Sequence, residues 1–266
     1  MVDFKKPVSG LSGLSNPLVS PIQGREFSFS TADFERVRKL IYQHAGISLS
    51  PVKQDMVYSR LARRLRATGK QTFAEYLDAL EKQGGDEWER FVNSLTTNLT
   101  SFFREPHHFP ILAEHLRKIG TRRPIRIWCS AASTGEEPYS IAMTVAETFG
   151  SSTSHVSIFA SDLDTNVLET ARKGVYSIDR VEKLSPEQLR KYFLRGTGNQ
   201  DGYVAVRPEL KSLIEFQRIN LLDASYPVKG PVDVIFCRNV MIYFDKPTQY
   251  KILARFAPML QADGLM

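Results

Sequence analysis

The stretch IRIWCSAASTGEEPYS, residues 125–140, joins a mostly apolar segment to a turn of small residues and two adjacent acids. Its first five residues predict a buried strand. The five small residues from Ala131 to Gly135 follow, and such residues let a ligand approach the backbone closely. Ligands of open α/β sheets bind where strands end and helices begin, so this turn is a candidate binding site.

The turn does not match a dinucleotide-binding fingerprint, because it has one glycine where GxGxxG has three. Glu136 and Glu137 follow that glycine, at the predicted start of a helix. Acids at a helix N-terminus suit its dipole, so one interpretation is that they only cap the helix. The alternative is a cationic ligand, such as the sulfonium and amino group of S-adenosylmethionine (SAM).

A second acid supports the ligand interpretation. Asp162 ends the next apolar run, in the stretch IFASDLD. In this kind of fold, an acid at that place accepts two hydrogen bonds from ribose hydroxyls. Asp164 is better explained as the cap of the following helix. The two stretches together indicate an adenosine cofactor that lacks a pyrophosphate.

Strand-length apolar runs alternate with helical patterns in the second half of the chain. This alternation predicts an α/β fold with a mostly parallel sheet covered by helices. The predicted strands are 125–130, 156–161, 214–219 and 232–237, and the predicted helices are 138–149, 165–173, 186–193 and 247–260. The segment 195–210 interrupts the pattern with GTGNQDG and YVAV, which predict a small antiparallel insert.

Four helical patterns precede this region and predict an all-helical subdomain over 26–95. The first covers 31–45, the second opens at Ser50-Pro51 and ends at Gly69, the third opens with a capping box at 72–75, and the fourth carries Trp88. Residues 1–25 are rich in Ser, Gly and Pro and are interpreted as a mobile tail.

The 266-residue chain has the composition of a globular protein, with 42% hydrophobic residues, 24% charged residues and a formal net charge of +6. No apolar run approaches the ~20 residues that span a bilayer, and no secretory signal opens the chain. We therefore expect a cytoplasmic protein without membrane insertion. Its two cysteines have no Cys or His neighbours at ligand spacing, so we expect no metal and no disulfide framework.

Five stretches together resemble one family, the CheR chemotaxis receptor methyltransferases. They are TTNLTSFFRE (96–105), SAASTGEEPYS (130–140), FASDLD (159–164), INLLD (219–223) and FCRNVMIYF (236–244). The resemblance runs from about residue 31 to the last residue. It implies an all-helical N-terminal subdomain, a linker over 96–105 and a Rossmann-like SAM-binding domain over 106–266 that contains the small β insert.

The resemblance also implies an activity and a set of site residues. The activity is transfer of methyl from SAM to glutamate side chains of bacterial chemoreceptors, which gives glutamyl methyl esters and S-adenosylhomocysteine. Arg104 and Tyr243 match catalytic positions. The matching cofactor contacts are Asn98, Thr100 and Arg104 in the linker, Glu137 facing the methionine moiety, Asp162 on the ribose, Asn220 and Leu221 around the adenine, and Arg238 and Asn239 after the fourth strand.

One face of the second helix is basic, through Lys53, Arg60, Arg63 and Arg64. A solvated surface is the simpler interpretation. The family resemblance favours a docking role, because the methylated helices of the receptors are acidic and a basic helix would steer them. The insert is either a docking site for a C-terminal receptor tether, by β-augmentation, or a structural hairpin. We expect a monomer that does not bind nucleic acid.

Other functions remain open at this point. The chain could methylate RNA or a small molecule, act as a SAM-binding sensor without turnover, or bind nucleic acid through its helical subdomain. The family continues with two further strands beyond the helix over 246–260, whereas this sequence ends at Met266. We therefore expect a shortened chain. The alternative, that this is the whole protein, would leave its sheet with an exposed apolar edge.

Overall fold

The computed structural model describes residues 25–266, so the interpretation of 1–25 as a tail lies almost wholly outside the described residues. The described chain begins with four helices, α1 (Thr31–Ala45), α2 (Gln54–Thr68), α3 (Phe73–Gln83) and α4 (Asp86–Leu95). Their apolar faces enclose one core that includes Phe34, Ile41, Leu61, Leu65, Phe73, Leu77 and Phe91. These positions recur at helical spacing, which is why the segments bury one face each.

Two details of this subdomain differ from the prediction. Ser50-Pro51 opens a short 3-10 turn, Pro51–Lys53, and the α-helix starts only at Gln54. The predicted capping box at the start of α3 is half formed: Thr72 accepts a hydrogen bond from the backbone N–H of Glu75, but the Glu75 carboxylate accepts from the N–H of Gln71 instead of Thr72.

The rest of the chain alternates strands and helices. The strands are β1 (Ile125–Cys129), β2 (Val156–Asp162), β3 (Val175–Ser177), β4 (Phe193–Arg195), β5 (Tyr203–Val206), β6 (Ile214–Arg218), β7 (Val232–Phe236) and β8 (Leu260–Leu265). The helices are α5 (His108–Ile119), α6 (Glu136–Phe149), α7 (Thr165–Lys173), α8 (Pro186–Tyr192), α9 (Pro208–Lys211) and α10 (Lys246–Phe256).

Five strands form a parallel sheet in the order β6-β2-β1-β7-β8. Side chains of β1 alternate between two cores: Ile127 and Cys129 pack with α5 and α6, and Trp128 packs with Phe256 of α10. Burial on both faces explains why the central strands read as continuous apolar runs. The last strand, β8, pairs with β7 through a register shift, between Val232↔Leu260 and Val234↔Leu265.

The antiparallel insert is larger than predicted. Its three strands lie in the order β3-β5-β4. The predicted segment 195–210 contains β5 and one residue of β4, but the sheet begins upstream at Val175. The prediction missed β3 because this strand has three residues and follows directly after Gly174, the left-handed residue that ends α7.

Gly135, which precedes α6, provides a test of close packing. Its φ is +100°, and a Cβ placed there would lie 2.7 Å from the Tyr176 hydroxyl and 2.9 Å from Ala171 Cβ. The space next to this glycine is therefore filled by α7 and β3, whereas the sequence suggested that it was kept free for a ligand. We expect Gly135→Ala to lower the free energy of unfolding by about 2–4 kcal/mol, from backbone strain and overpacking.

Gly69 is the matched control, because it has a φ of +67° and no heavy atom within 4 Å of an added Cβ. Gly69→Ala should cost only about 1 kcal/mol, the strain of a left-handed residue. Urea unfolding of the two variants measures the difference. Equal losses would contradict the packing argument.

Candidate active site

A cavity of about 450 Å³ lies between the helical subdomain and the carboxyl ends of the parallel strands. Its wall combines the loop before α2, the linker after α4, the turns after β1 and β2, and the loops after β6 and β7. It contains every residue predicted to touch the cofactor or act in catalysis: Asn98, Thr100, Arg104, Glu137, Asp162, Asn220, Leu221, Arg238, Asn239 and Tyr243. Parallel topology brings them together, because successive strands end at the same edge of the sheet.

Asp162, at the end of β2, presents a half-buried carboxylate to this cavity. One of its oxygens accepts a hydrogen bond from the Ser133 backbone N–H at 2.8 Å, and the other from the Asp164 N–H at 3.0 Å. Burial raises the pKa of Asp162 to about 6, although these N–H donors oppose the shift. A carboxylate has about four acceptor positions, so the ionised group retains capacity for two further donors.

Glu137 and Arg238 form another part of the wall, and Glu105 binds Arg238 without lining the cavity. The Arg238 guanidinium donates to Glu137 Oε2 at 2.5 Å and to Glu105 Oε2 at 3.1 Å, and also to the Arg104 carbonyl at 2.6 Å. Asn239 donates to the other oxygen of Glu105. Burial raises the pKa of Glu137, while Arg238 opposes the shift. With both carboxylates ionised, the group carries one net negative charge, which suits a cationic ligand.

Glu136 points away from its neighbour and has a different role. It is fully buried, accepts a hydrogen bond from the Thr134 hydroxyl at 2.6 Å and forms an ion pair with Arg180 of the 3-10 turn after β3. Arg180 also donates to the Thr100 carbonyl at 3.4 Å. In the part of the chain that the structure describes, neither Glu136 nor Glu137 caps α6 through a side-chain hydrogen bond. Glu137 therefore lines the cavity wall, whereas Glu136 anchors the small sheet.

The linker is held over the cavity mainly by Asp164. One Asp164 oxygen caps α7 through the backbone N–H groups of Asn166 and Val167, as predicted. The other oxygen accepts from the Thr96 hydroxyl at 2.7 Å and from the Asn98 amide at 2.8 Å. This second role was not predicted, because nothing local to Asp164 in the sequence marks a partner 66 residues earlier in the chain.

Further bonds cross between the helical subdomain and the sheet. The Asn220 side chain donates to the His44 carbonyl at 2.7 Å, so only part of this residue faces the cavity. The Tyr243 carbonyl accepts from the Ser48 N–H at 2.8 Å, and the Tyr243 hydroxyl donates to the Thr97 carbonyl at 3.3 Å. These contacts join the helical subdomain and the linker to the loops after β6 and β7.

The predicted basic face of α2 divides into two parts. Arg64 forms two hydrogen bonds with Glu87, at 2.9 and 2.6 Å, and Arg60 donates to the Thr96 carbonyl at 2.5 Å. These two guanidinium groups therefore support the fold. Lys53 and Arg63 are exposed, and Lys53 also lines the cavity.

The cysteines do not supply a nucleophile near neutral pH. Burial raises the pKa of Cys129, with a further contribution from Glu137, and raises that of Cys237 to about 11. Among residues 25–266, no cluster of three or more His, Cys, Asp or Glu side chains has the arrangement of a metal site. In the same part of the chain, no helix is both long and apolar enough to cross a membrane.

Comparison with known families assigns both halves of this architecture. The all-alpha domain of the CheR methyltransferases matches residues 32–96, and their SAM binding domain matches residues 98–266. The chain belongs to the CheR methyltransferase family. This result confirms the predicted family and the predicted α/β fold with an N-terminal all-helical part.

Chemotaxis methyltransferases from several bacteria are similar to this CheR chain. The chemotaxis protein methyltransferase of Salmonella typhimurium is 54% identical over 96% of this chain and 88% of the relative. That of Escherichia coli is 55% identical over 90% and 83%, and the chemotaxis protein methyltransferase 2 of Pseudomonas aeruginosa is 51% identical over 92% and 88%.

The ion pair between Arg180 and Glu136 leads to a stability prediction for this CheR chain. Arg180→Ala leaves the Glu136 carboxylate buried without its cation, so we expect the free energy of unfolding to fall by about 3 kcal/mol. Adding Glu136→Gln removes the uncompensated charge and should recover part of that loss. Urea unfolding of the three proteins measures the effect, and a double variant no more stable than Arg180→Ala would exclude charge as the cause.

Proposed function

We propose that this CheR-family chain methylates glutamate side chains of bacterial chemoreceptors with SAM as the methyl donor. The products are glutamyl methyl esters and S-adenosylhomocysteine. The observation that carries the proposal is the cavity at the sheet edge, whose wall contains the half-buried Asp162 of β2 together with Glu137 and Arg238.

The cavity residues fit such a donor by charge and by hydrogen bonding. In the proposal, Asp162 accepts hydrogen bonds from the two ribose hydroxyls with its remaining acceptor positions. Glu137, which is bound by Arg238 in the wall, accepts the amino group of the methionine moiety. Leu221 and the backbone of Asn220 pack around the adenine, and Asn98, Thr100 and Asn239 complete the wall.

The chemistry needs positioning more than proton transfer. A glutamate side chain is ionised near pH 7, so it attacks without a general base. One of its oxygens forms a bond to the methyl carbon while the carbon–sulfur bond breaks and the electron pair stays on sulfur. The chain therefore has to align the acceptor and limit its hydration, because opposite charges are neutralised in this step.

Arg104 and Tyr243 are the proposed catalytic residues. One Arg104 nitrogen donates to the Leu99 carbonyl at 2.7 Å, which fixes the guanidinium next to the cavity. Its other N–H groups are suited to orient the incoming carboxylate. Tyr243 lines the same wall, and its hydroxyl is positioned by the Thr97 carbonyl.

Receptor docking is a separate part of the proposal. Lys53 and Arg63 are the exposed cations that would meet an acidic receptor helix, while Arg60 and Arg64 mainly hold the surface in place. The small sheet has β3 and β4 at its edges, and we propose that an extended receptor tether pairs with one of them. We also propose that the chain acts as a monomer.

Transfer of labelled methyl from SAM to chemoreceptor-containing membranes tests the proposed function. We expect base-labile label on receptor glutamates. Absence of receptor labelling, or label that follows added RNA instead, would overturn it.

We expect Arg104→Ala to lower kcat/KM for receptor methylation by at least about 100-fold, because the acceptor carboxylate loses its orienting cation. The control is Arg117→Ala, which removes an exposed guanidinium from α5, outside the cavity. Both variants should melt at the wild-type temperature. Full activity of Arg104→Ala would remove this residue from the site.

The raised pKa of Asp162 predicts pH-dependent cofactor binding. Hydrogen bonds from ribose hydroxyls favour the ionised carboxylate, so affinity is complete above the pKa of about 6 in the free protein and falls as pH drops through that value. Calorimetry with S-adenosylhomocysteine between about pH 5 and 7.5 measures this. Asp162→Asn should bind more weakly with a flatter profile, whereas an unchanged slope would assign the dependence to another group such as Glu137.

Charge reversal at Lys53 and Arg63 should raise the KM for receptor membranes by about fivefold, and more at low salt, because electrostatic steering is lost. Arg117→Glu combined with Lys118→Glu gives a control with the same change of charge on exposed residues of α5. Initial rates at several receptor concentrations compare the two double variants. Equal kinetics would exclude a specific role for Lys53 and Arg63.

A further inference from the structure

Three aliphatic side chains in segments that border the cavity are unusually exposed. The exposed fractions are 84% for Val52, 77% for Leu99 and 75% for Ile242, whereas Ile111 on α5 has 50%. Leu99 and Ile242 line the cavity, and Val52 adjoins the cavity residue Lys53. Isolated exposed apolar residues are common on proteins, but three segments distant in sequence contribute to this group.

The backbone holds each of these side chains in place. Val52 lies in the 3-10 turn that is closed by the Lys53 N–H and the Ser50 carbonyl at 2.9 Å. The Leu99 carbonyl accepts from Arg104 at 2.7 Å.

Ile242 is held in a similar way. It lies within a 3-10 turn whose Met241 carbonyl accepts from the Gln249 amide at 2.9 Å. Met241 packs against the core and Phe244 is buried, so the turn leaves Ile242 outside. The exposure of all three side chains is therefore built into the fold, and contact with a partner would require little ordering of the backbone.

We propose that Val52, Leu99 and Ile242 form an apolar rim that binds apolar side chains next to the target glutamate on the acceptor helix. This inference rests on the proposed function and adds a criterion by which the protein selects among the glutamates of a receptor. When a glutamate of a helix enters the cavity, residues three and four positions away lie on the same face and approach the mouth. If those residues are apolar, their contact with the rim buries apolar surface and favours binding. If they are charged, contact with the rim removes water from the charge and disfavours binding.

Charge complementarity identifies the occupant as a helix that carries both features. Lys53 and Arg104 place two cations in the wall beside the rim, and they suit the carboxylate of the same acceptor. Apolar contact around that carboxylate also excludes water from the mouth, which favours neutralisation of charge during transfer. The rim therefore selects glutamates that are flanked by apolar residues at helical spacing.

Substitution of all three rim residues by serine tests this inference. We expect the KM for receptor membranes to rise about tenfold, because apolar contact is lost. The affinity for SAM, measured by calorimetry, should stay within about twofold, and the melting temperature should not change. Ile111→Ser is the control for loss of an exposed aliphatic side chain outside the cavity.

Receptor variants provide the second arm of the test. Aspartate placed three or four residues from a methylated glutamate should slow methylation at that site by the wild-type chain and have less effect with the triple serine variant. An unchanged receptor KM in the triple variant overturns the rim, as does a loss of SAM affinity equal to the rise in KM, since the rim would then contact the donor. Absence of methylation by the wild-type chain would instead overturn the proposed function.

Discussion

The buried carboxylate of Asp164 is the contact on which the arrangement of the cavity depends. Asp164 caps α7 at the turn that follows β2. At the same time it accepts hydrogen bonds from Thr96 and Asn98 of the linker. The Asp164 hydrogen bonds fix the start of the linker, while the buried Phe102 anchors its other end in the core. Contacts further along the linker, from Tyr243 to the Thr97 carbonyl and from Arg180 to the Thr100 carbonyl, continue its path across the ends of the strands.

The two adjacent glutamates at the start of α6 show how one short motif serves two requirements. Successive residues of a helix point in directions about 100° apart, so Glu136 and Glu137 cannot face the same partner. Glu137 meets Arg238 in the cavity wall, and Glu136 meets Arg180 below the small sheet. The small sheet is thereby connected, through Arg180 and the Thr100 carbonyl, to the linker that covers the site.

Much of this architecture could be predicted from the sequence, because the signals are local. Periodic apolar residues define α1 and the helices around it, and continuous apolar runs define β1 and β7. Contacts between distant residues were not predictable in this way. Arg180, Glu105 and the second role of Asp164 depend on partners brought close only by folding, and the internal bonds of Arg60 and Arg64 depend on where the linker and α4 lie. The predicted site residues share one wall, but their individual roles remain predictions.

The cavity is enclosed by two separately packed cores, and the bonds between His44 and Asn220 and between Ser48 and Tyr243 join its halves. Further hydrogen bonds cross the same boundary, among them Asn93 to Thr165 and Tyr42 to Asp245. The boundary is therefore largely polar, whereas each core is apolar. Local opening at this boundary should consequently need less free energy than unfolding of either core.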